Sequence, residues 1–414
     1  MPDAPVEQTV PVADHVARIL DAVTPLPVFD QALMDALGLP VAEDVTAPLP
    51  LPSFDNSAMD GYAVCLHDVV GATEESPVHL PVVGEIGAGQ AQLLAMSPGT
   101  SVKIMTGAPM PAGADSVVPY EWTDRGVAHV RISRAPSEGQ HIRRAGEDVE
   151  AGDILISEGT VLGPRQLGLL AAAGRDFVKS RPRPRVVVMS TGSELREPGM
   201  ALGHDSIYDA NSYMLSAAVT AAGGIAYRVG AVADDVRGFT EALTDQLVRA
   251  DIVVTSGGVS QGDYDVVKEA LRDLGTVWFG GVAMQPGKPQ GFGVVGDDET
   301  LIFTLPGNPV SSYVSFEAFV LPAIRKLMGR TPYSRPTTRA RLTHPISSPA
   351  GRRQFVRGSY EVDRGGPFVS PVGGHGSHLI GDLAGSNALI VVPEDVTSVT
   401  AGEQVQVKLL DEDF

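Results

Sequence analysis

The stretch that decides the fold is Asp251–Asp265, which reads DIVVTSGGVSQGDYD. It opens with the apolar and β-branched run Ile252–Thr255, which predicts a short strand buried on both faces. Ser256, Gly257 and Gly258 follow, and glycines at the carboxyl end of a strand allow a sharp turn that exposes backbone N–H groups. A helix-like spacing of apolar residues begins at the last aspartate of the stretch. A glycine-rich loop that leads into a helix N-terminus suits a bound anion.

Two carboxylates, Asp263 and Asp265, stand at the far side of this loop. An anion site beside carboxylates predicts a phosphorylated ligand, with Mg²⁺ bridging the ligand and the acids. The alternative is a tight turn between a strand and a helix, in which the glycines serve the turn and an aspartate caps the helix. The stretch by itself leaves both interpretations open.

The composition of the 414 residues limits the classes of function and predicts two to four domains. A formal net charge of −19 disfavours general nucleic-acid binding, because phosphate backbones need a basic face. No apolar run approaches the roughly 20 residues of a membrane span, and the first ten residues lack a signal-peptide pattern. Cys65 is the single cysteine, which excludes an internal disulfide and a cysteine-based zinc site. We therefore expect a cytoplasmic protein.

The order of the patterns along the chain predicts several modules. Asp14–Val23 has helical spacing, and Gln31–Leu37 is a candidate second helix. Short alternating runs cut by glycine and proline predict a β-rich module from about residue 55 to 153. The linker Arg181–Arg185 (RPRPR) opens a region of alternating strands and helices, which ends in a long helix from Pro309 to Met328. This rhythm predicts a doubly wound, mostly parallel sheet, and the short runs beyond it predict a small β-barrel or sandwich.

Polar and small residues gather where the strands of the parallel sheet end. They are Thr191, Gly192, Ser193 and Glu194, then Asp234 and Asp235, then Ser256–Asp265, and finally Pro306, Gly307, Asn308 and Pro309. Because ligands of such sheets bind at the carboxyl ends of the strands, we expect these loops to share one cleft. Acidic groups near an anion repel it unless a cation intervenes, so the pattern predicts Mg²⁺.

Several other motifs carry weaker signals. PGKP at 286–289 fails as a phosphate-binding loop, because Val282 stands where the first glycine belongs and Pro289 replaces Ser or Thr. His375 and His378 lack further ligands, which favours hydrogen bonding in a loop over metal binding. Asp60, within DNSAMDGY, is open to a simple turn-capping role.

A series of motifs carries a family resemblance. In chain order they are DNSAMDGYAV, KIMTGAPMPAGADSVV, STGSEL, IYDANS, TSGGVSQGDYD, PGKP, LPGNPVSS and GHGSH. Together they resemble the motif series of the molybdopterin molybdenumtransferases, the MoeA type, a family that includes the E domain of gephyrin. The resemblance implies an α/β multidomain subunit with a helical base (1–50 and 150–180) and an inserted β-rich module (51–149). A molybdopterin-binding domain (181–331) and a C-terminal β-barrel (332–414) follow. It also implies an elongated homodimer whose subunits share each active site.

The implied reaction is the Mg²⁺-dependent insertion of molybdate into adenylylated molybdopterin, with release of AMP. Motif by motif, the functional acids fall on Asp60, Glu194, Asp234 and Asp265, the last three as metal ligands, and Thr106 matches a functional threonine. Arg357 and Ser377 match a pair that contacts the oxyanion. The implied substrate-binding residues are Thr191, Gly192, Ser193, Ser256, Gly257, Gly258, Lys288, Pro306, Gly307, Asn308, Pro309, Arg357 and Ser377.

The sequence departs from many relatives at two places. Many relatives carry basic residues before and within the run that leads to PGKP, and this sequence has Gly281 and Gln285 at those places. Two positive charges near the anionic substrates are therefore missing, while Lys288 remains. Two other functions stay open. One is a molybdopterin adenylyltransferase, an activity that needs only the α/β domain and whose enzyme is also a candidate partner that delivers substrate. The other is a non-catalytic molybdopterin-binding scaffold.

Overall fold

The structure, a computed structural model, describes residues 9–89, 95–232, 235–258, 266–272, 274–412 and 414. The chain forms two compact units. The first unit consists of the residues up to Gln31, Gly38–Ala42 and Lys179–Phe414. The second consists of Ala32–Leu37 and Glu43–Val178. Within the described ranges, the helices are too short or too polar to span a bilayer.

The secondary structure has short strands throughout and its main helices in the first unit. The strands are β1 Phe29–Ala32, β2 Val45–Thr46, β3 Asn56–Ser57, β4 Gly61–Val64, β5 Val78–Ile86, β6 Ser101–Ile104, β7 Ser116–Pro119, β8 His129–Ile132, β9 Ile142–Arg143, β10 Ile154–Ile156, β11 Phe177–Ser180, β12 Arg185–Thr191, β13 Leu195–Arg196, β14 Ile207–Tyr208, β15 Ile225–Val232, β16 Ile252–Ser256, β17 Gly275–Gly281, β18 Met284–Gln285, β19 Pro289–Val295, β20 Thr300–Leu305, β21 Thr338–Leu342, β22 Ile346–Ser347, β23 Arg353–Asp363, β24 Gly366–Pro371, β25 Ala388–Val392, β26 Ser398–Val399 and β27 Gln404–Leu409. The helices are α1 Val12–Ala22, α2 Leu66–Val69, α3 Pro164–Ala172, α4 Asn211–Ala221, α5 Val236–Leu247, α6 Val266–Arg272, α7 Pro309–Ser315, a π-helical turn Phe316–Val320, α8 Leu321–Leu327 and α9 Ile380–Ala384.

The central sheet of the first unit has the strand order β15-β12-β16-β20-β19-β17. Its first four strands are parallel, and β19 and β17 run antiparallel to their neighbours. All five residues of β16 are buried, as the continuous apolar run predicted. Side chains alternate between the faces, so Val254 packs into the core with α4 and α7, while Val253 packs with α5 and α6. The doubly wound α/β class is confirmed.

The C-terminal part closes into a barrel. Strands β23, β24, β21, β27 and β25 follow one another, and a further pairing of β23 with β25 closes the ring. Its core consists of apolar side chains such as Val369, Ile390 and Val407. The predicted β-barrel is therefore confirmed. In the second unit, a five-stranded sheet of order β7-β4-β6-β5-β8 forms the predicted β-rich module.

Two helix predictions need correction. Gln31–Leu37 does not form a helix: β1 ends at Ala32, and a single turn follows in which the N–H groups of Asp35 and Ala36 donate to the Ala32 carbonyl, both at 3.0 Å. Seven residues are too few to sustain a helix without tertiary packing, and Met34 and Leu37 stay exposed here. The long helix from Pro309 is interrupted by the π-helical turn Phe316–Val320. Pro322 explains this, because its ring clashes with the carbonyl four residues earlier and its nitrogen carries no hydrogen.

Helix α1 buries His15 together with Val12 and Ile19, which lie on one face at helical spacing. The His15 ring packs against the rings of Trp278 and Phe319, with centroid distances of 4.9 and 4.7 Å. Its Nδ1 atom is buried and has no hydrogen-bond partner in the described part of the chain. Burial, with a smaller contribution from the charge of Arg18, lowers the pKa of His15 to about 4.

We expect the free energy of unfolding to fall as the pH drops from about 6.5 towards 4, because unfolded His15 takes up a proton in this range and folded His15 does not. The difference between the folded and unfolded pKa of His15 corresponds to about 3 kcal/mol of the free energy of unfolding. This contribution is fully present above pH 6.5. Urea unfolding at several pH values, followed by circular dichroism, checks this. The variant His15→Leu should lose this part of the pH dependence. His204→Leu, which changes an exposed histidine, should keep it.

Candidate functional site

A cavity of about 1030 Å³ lies at the carboxyl ends of the parallel strands of the first unit. The predicted residues that line it are Thr191, Gly192, Glu194, Ser256, Gly257, Gly258, Lys288, Pro306, Gly307, Asn308 and Pro309. Ser193 is exposed in the same turn as Thr191, and its carbonyl accepts a hydrogen bond from Arg196 Nη1 at 2.7 Å. The loops that follow β12, β16 and β20 therefore meet at one edge of the sheet.

The turn after β16 approaches its neighbours so closely that only glycine fits. Gly257 has φ +97° and Gly258 has φ +66°. A Cβ atom on Gly257 would lie 2.7 Å from the Thr191 carbonyl oxygen. The Gly257 N–H donates to the Leu305 carbonyl at 3.1 Å. The prediction that this loop presents free backbone N–H groups is therefore wrong for Gly257, because its N–H is hydrogen-bonded to the last residue of β20.

We expect Gly257→Ala to lower kcat/KM at least tenfold, since the added Cβ must push the turn away from Thr191 and distort the cavity wall. Gly402→Ala is a matched control, because Gly402 has a similar φ of +94° but no atom within 4 Å of an added Cβ. That control should lose about 1 kcal/mol of stability and keep its activity. Equal activities of the two variants would contradict the role given to the Gly257 turn.

Two residues of the motif IYDANS also belong to the site, although sequence reasoning gave them no role. Asn211 lines the cavity, and its Nδ2 donates to Ser256 Oγ at 2.7 Å and to the Gly307 carbonyl at 2.6 Å. Asp209 also lines the cavity and is almost completely buried. The available signal was an Asp-x-Asn sequence at a helix start, which is typical of helix capping and so suggested only a local role.

Charged groups of both signs line the cavity. Lys268 on α6 and Lys288 supply positive charge, and Glu194 supplies an exposed carboxylate. Lys268 carries no signal in the sequence, because a single lysine within a helical pattern is typical of an exposed helix surface. The predicted acids Asp234 and Asp265 lie outside the described residues, as does the neighbouring Asp263. In the ranges that the structure does describe, no three His, Cys, Asp or Glu side chains cluster as metal ligands.

Arg357 lies beside a second, smaller cavity of about 20 Å³, which Gln285 and Pro286 also line. Its guanidinium is buried and donates to the carbonyls of Gly376 at 3.2 Å and Leu379 at 3.1 Å, and also to that of Gly374. Burial lowers the pKa of Arg357, and the charge of Asp382, 3.9 Å away, opposes this effect. Arg357 thus holds the loop that contains GHGSH.

The loop held by Arg357 contacts the start of α7. The carbonyl of Ser377 accepts a hydrogen bond from the Val310 N–H at 3.0 Å, next to the predicted Pro306–Pro309 segment. His378 lines the large cavity, and His375 Nδ1 lies 3.4 Å from Gln354 Nε2. The loop therefore connects the surroundings of the two cavities within the first unit.

In the second unit, Asp60 and Thr106 form a hydrogen-bonded pair. Asp60 Oδ1 accepts from the Thr106 N–H at 2.7 Å and from Thr106 Oγ1 at 2.8 Å. These bonds, that of the Thr106 backbone most of all, lower the pKa of Asp60. The partner of Asp60 is thus a residue distant in sequence, and the side chain does not merely cap its own turn.

Three family models match consecutive parts of the chain. They are described as the MoeA N-terminal region (domain I and II), over residues 10–174, a "probable molybdopterin binding domain", over 187–326, and the MoeA C-terminal region (domain IV), over 339–410. The α/β domain with its cavity, the β-rich unit and the closed barrel thus define a multidomain protein of the MoeA class.

Relatives of known name match over almost the whole chain. Molybdopterin molybdenumtransferase 2 of Mycobacterium tuberculosis is 48% identical over 399 residues, which cover 95% of this chain and 96% of the relative. Molybdopterin molybdenumtransferase of Haemophilus influenzae is 37% identical, covering 91% of this chain and 92% of the relative. A crystal structure of a molybdopterin biosynthesis MoeA protein from Pyrococcus horikosii matches with TM-score 0.82 and 32% identity, covering 98% of this chain and 100% of that one. The chain belongs to the molybdopterin molybdenumtransferases, a family of enzymes.

Proposed function

We propose that this protein acts in molybdenum cofactor biosynthesis by inserting molybdate into adenylylated molybdopterin, with Mg²⁺ and release of AMP. The observation that carries the proposal is the 1030 Å³ cavity, which combines Lys268, Lys288 and Glu194 with the closely packed turn at Gly257. The names of the relatives support the coarser activity of a molybdopterin molybdenumtransferase.

The residues of the cavity fit an anionic substrate held with a hard cation. Lys268 and Lys288 place two positive charges against phosphate oxygens, and Glu194 offers carboxylate oxygens of the kind that Mg²⁺ prefers. The buried hydroxyl of Thr191 has no hydrogen-bond partner among the described residues, so it is open to a ligand group or an ordered water. Mg²⁺, when bound, would neutralise charge on the phosphate oxygens. We propose Glu194, Asp234 and Asp265 as its ligands.

The chain's own side chains would orient the two substrates. The turn at Gly257 shapes the wall of the large cavity, while Arg357 holds the loop that carries Ser377. We propose that molybdate enters beside Ser377, and that Arg357 acts mainly by positioning this loop, because its Nη1 and Nη2 atoms already donate to three carbonyl oxygens of the loop. We also propose that Asp60 and Thr106 take part in the reaction.

The remaining features are proposed from the family resemblance. They are a homodimer with shared active sites, a location in the cytoplasm, delivery of substrate by a molybdopterin adenylyltransferase, and the four domain boundaries given above. None of these proposals depends on the geometry of the cavity. Each is therefore open to an independent test, such as sedimentation for the dimer.

The proposed reaction is tested by incubating the protein with adenylylated molybdopterin, molybdate and Mg²⁺. We expect one AMP to be released for each molybdenum inserted, and we expect excess chelator to stop both, since the carboxylate of Glu194 repels phosphate without a cation. Glu194→Gln should weaken the response to Mg²⁺ more than it lowers stability, whereas Glu241→Gln, on exposed α5, should change neither. Undiminished turnover in chelator, or insertion without AMP release, would reject the proposal.

A further inference from the structure

The side-chain amide of Asn211 has a fixed orientation in the large cavity. Its Nδ2 donates to the Gly307 carbonyl at 2.6 Å and to Ser256 Oγ at 2.7 Å. A carbonyl oxygen only accepts hydrogen bonds, so the amide nitrogen must face Gly307, and the exchange of its oxygen and nitrogen positions is excluded. Oδ1 accepts no hydrogen bond from any residue that the structure describes. Asn211 lines the cavity, and the orientation of its acceptor oxygen is fixed by the two hydrogen bonds of Nδ2.

The backbone beside Asn211 is held rigidly. Asp209 is 1% exposed and accepts hydrogen bonds from the Ser212 N–H at 3.0 Å and from Ser212 Oγ at 2.6 Å. It also accepts from Ser190 Oγ on β12 at 3.0 Å. Arg228 Nη1 donates to Ser212 Oγ at 3.2 Å, which places a positive charge near the buried carboxylate. The residues on both sides of Asn211 are thus anchored to the sheet, and the acceptor is preorganised.

A second polar atom in the same cavity also lacks a partner. Thr191 is 6% exposed, and its Oγ1 makes no hydrogen bond within the described residues. A buried polar group without a partner is destabilising, so such groups in native proteins call for a ligand or an ordered water. Thr191 ends β12 and Asn211 begins α4, and both lie beside the turn at Ser256 and Gly257. Among the described residues of the cavity wall, Thr191 Oγ1 and Asn211 Oδ1 are thus two polar oxygen atoms without a hydrogen-bond partner from the protein.

We propose that Asn211 determines substrate specificity by accepting, at Oδ1, a hydrogen bond from an N–H or O–H group of the bound substrate. This inference rests on the proposed function, whose substrate carries such donors on both its pterin and its adenosine halves. An oriented acceptor binds a donor and rejects a ligand oxygen at the same place, since two acceptors repel each other. Asn211 consequently distinguishes an amino or hydroxyl group from an oxo group or a hydrogen.

The test compares pairs of probes that differ in one donor. For the adenosine half, AMP is titrated calorimetrically against 2′-deoxy-AMP, 3′-deoxy-AMP and purine riboside monophosphate, which lacks the amino group. For the pterin half, pterin-6-carboxylate is compared with lumazine-6-carboxylate, in which an oxo group replaces the amino group. Each titration uses the wild type, Asn211→Ala and Asn211→Ser, because one of the two variants could fold poorly. Asn387→Ala is the matched control, since Asn387 forms two side-chain hydrogen bonds to Tyr360 in the C-terminal barrel.

We expect the wild type to bind one of the donor-deleted probes about tenfold more weakly than its parent compound, and this difference to disappear in both Asn211 variants. The probe that shows it identifies the half of the substrate that Asn211 contacts. Asn387→Ala should behave as the wild type. Equal losses in the wild type and in the Asn211 variants for every pair, with the parent compounds still binding, would overturn this inference and leave the proposed function intact. If the wild type binds neither AMP nor pterin-6-carboxylate, both this inference and the proposed function are rejected.

Discussion

Mixing an Asp60→Ala protein with a Glu194→Ala protein is expected to restore activity that neither protein has alone. The family resemblance implies that each active site draws on both subunits of a homodimer. In a mixed dimer, one site then carries both lesions and the other carries none. With random exchange, about half of the dimers are mixed, so roughly a quarter of all sites become intact. The activity of the mixture should therefore approach about one quarter of the wild-type value.

The control for this experiment uses two lesions that belong together. Asp60 and Thr106 are hydrogen-bonded to each other in the second unit, with Thr106 Oγ1 2.8 Å from Asp60 Oδ1. A mixture of Asp60→Ala and Thr106→Ala should stay inactive, because each site of a mixed dimer still contains one lesion. Exchange is monitored with two subunit tags of different mass. If exchange is complete and the first mixture also stays inactive, sharing of the active site between subunits is rejected.

Replacing Glu317 by alanine is expected to lower the free energy of unfolding by about 3–5 kcal/mol. Glu317 lies in the π-helical turn, is 4% exposed and accepts two hydrogen bonds from Arg335, at 2.9 and 3.3 Å. Its removal takes the paired carboxylate away from Arg335, whose side chain is only 11% exposed. It also removes the negative charge that opposes the effect of burial on Lys408, whose pKa burial lowers. The measurement is urea unfolding at neutral pH.

An exposed ion pair provides the comparison. Arg237 and Glu241 on α5 are 2.8 Å apart, but their side chains are 89% and 64% exposed. Glu241→Ala should therefore cost no more than about 0.5 kcal/mol, since solvent screens the pair and its side chains are already mobile. A loss below about 1 kcal/mol for Glu317→Ala would show that the π-helical turn relaxes to expose Arg335, and would contradict the prediction.

The parts of the fold that follow from local patterns were predictable from the sequence. The run Ile252–Thr255 predicted a doubly buried strand, and Pro309 after Asn308 predicted a helix start, as observed for β16 and α7. Both depend on residues adjacent in the chain. The false helix at Gln31–Leu37 shows the limit of this reasoning, because its residues favour a helix but the fold leaves Met34 and Leu37 exposed. The π-helical turn before Pro322 was not predicted, because the residues on both sides of it, in α7 and α8, have a continuous helical pattern.

The candidate site was predictable only in outline. The convergence of the strand-end loops follows from sheet topology, so Thr191, Ser256 and Pro306 were assigned to one cleft without coordinates. The partners of the polar atoms do not follow from topology. Asn211 donates to groups 45 and 96 residues away, and nothing near it in the chain indicates either one. The sequence also gives no indication that Arg357 donates to three carbonyl oxygens, because its sequence context resembles that of an anion-binding residue.

The sequence by itself determined the order of the modules, the strand ends at which the cavity lies, and the family, because these depend on periodicity and on motifs of contiguous residues. Only the tertiary structure decided how each polar group is used. It showed that the Gly257 N–H donates a hydrogen bond to the Leu305 carbonyl and that Lys268 lines the cavity. It also showed that the side-chain amide of Asn211 has a fixed orientation. Hydrogen bonds and burial are set by distances between atoms of separate elements. Such distances exist only after the chain has packed, and the pattern of residues along the chain does not contain them.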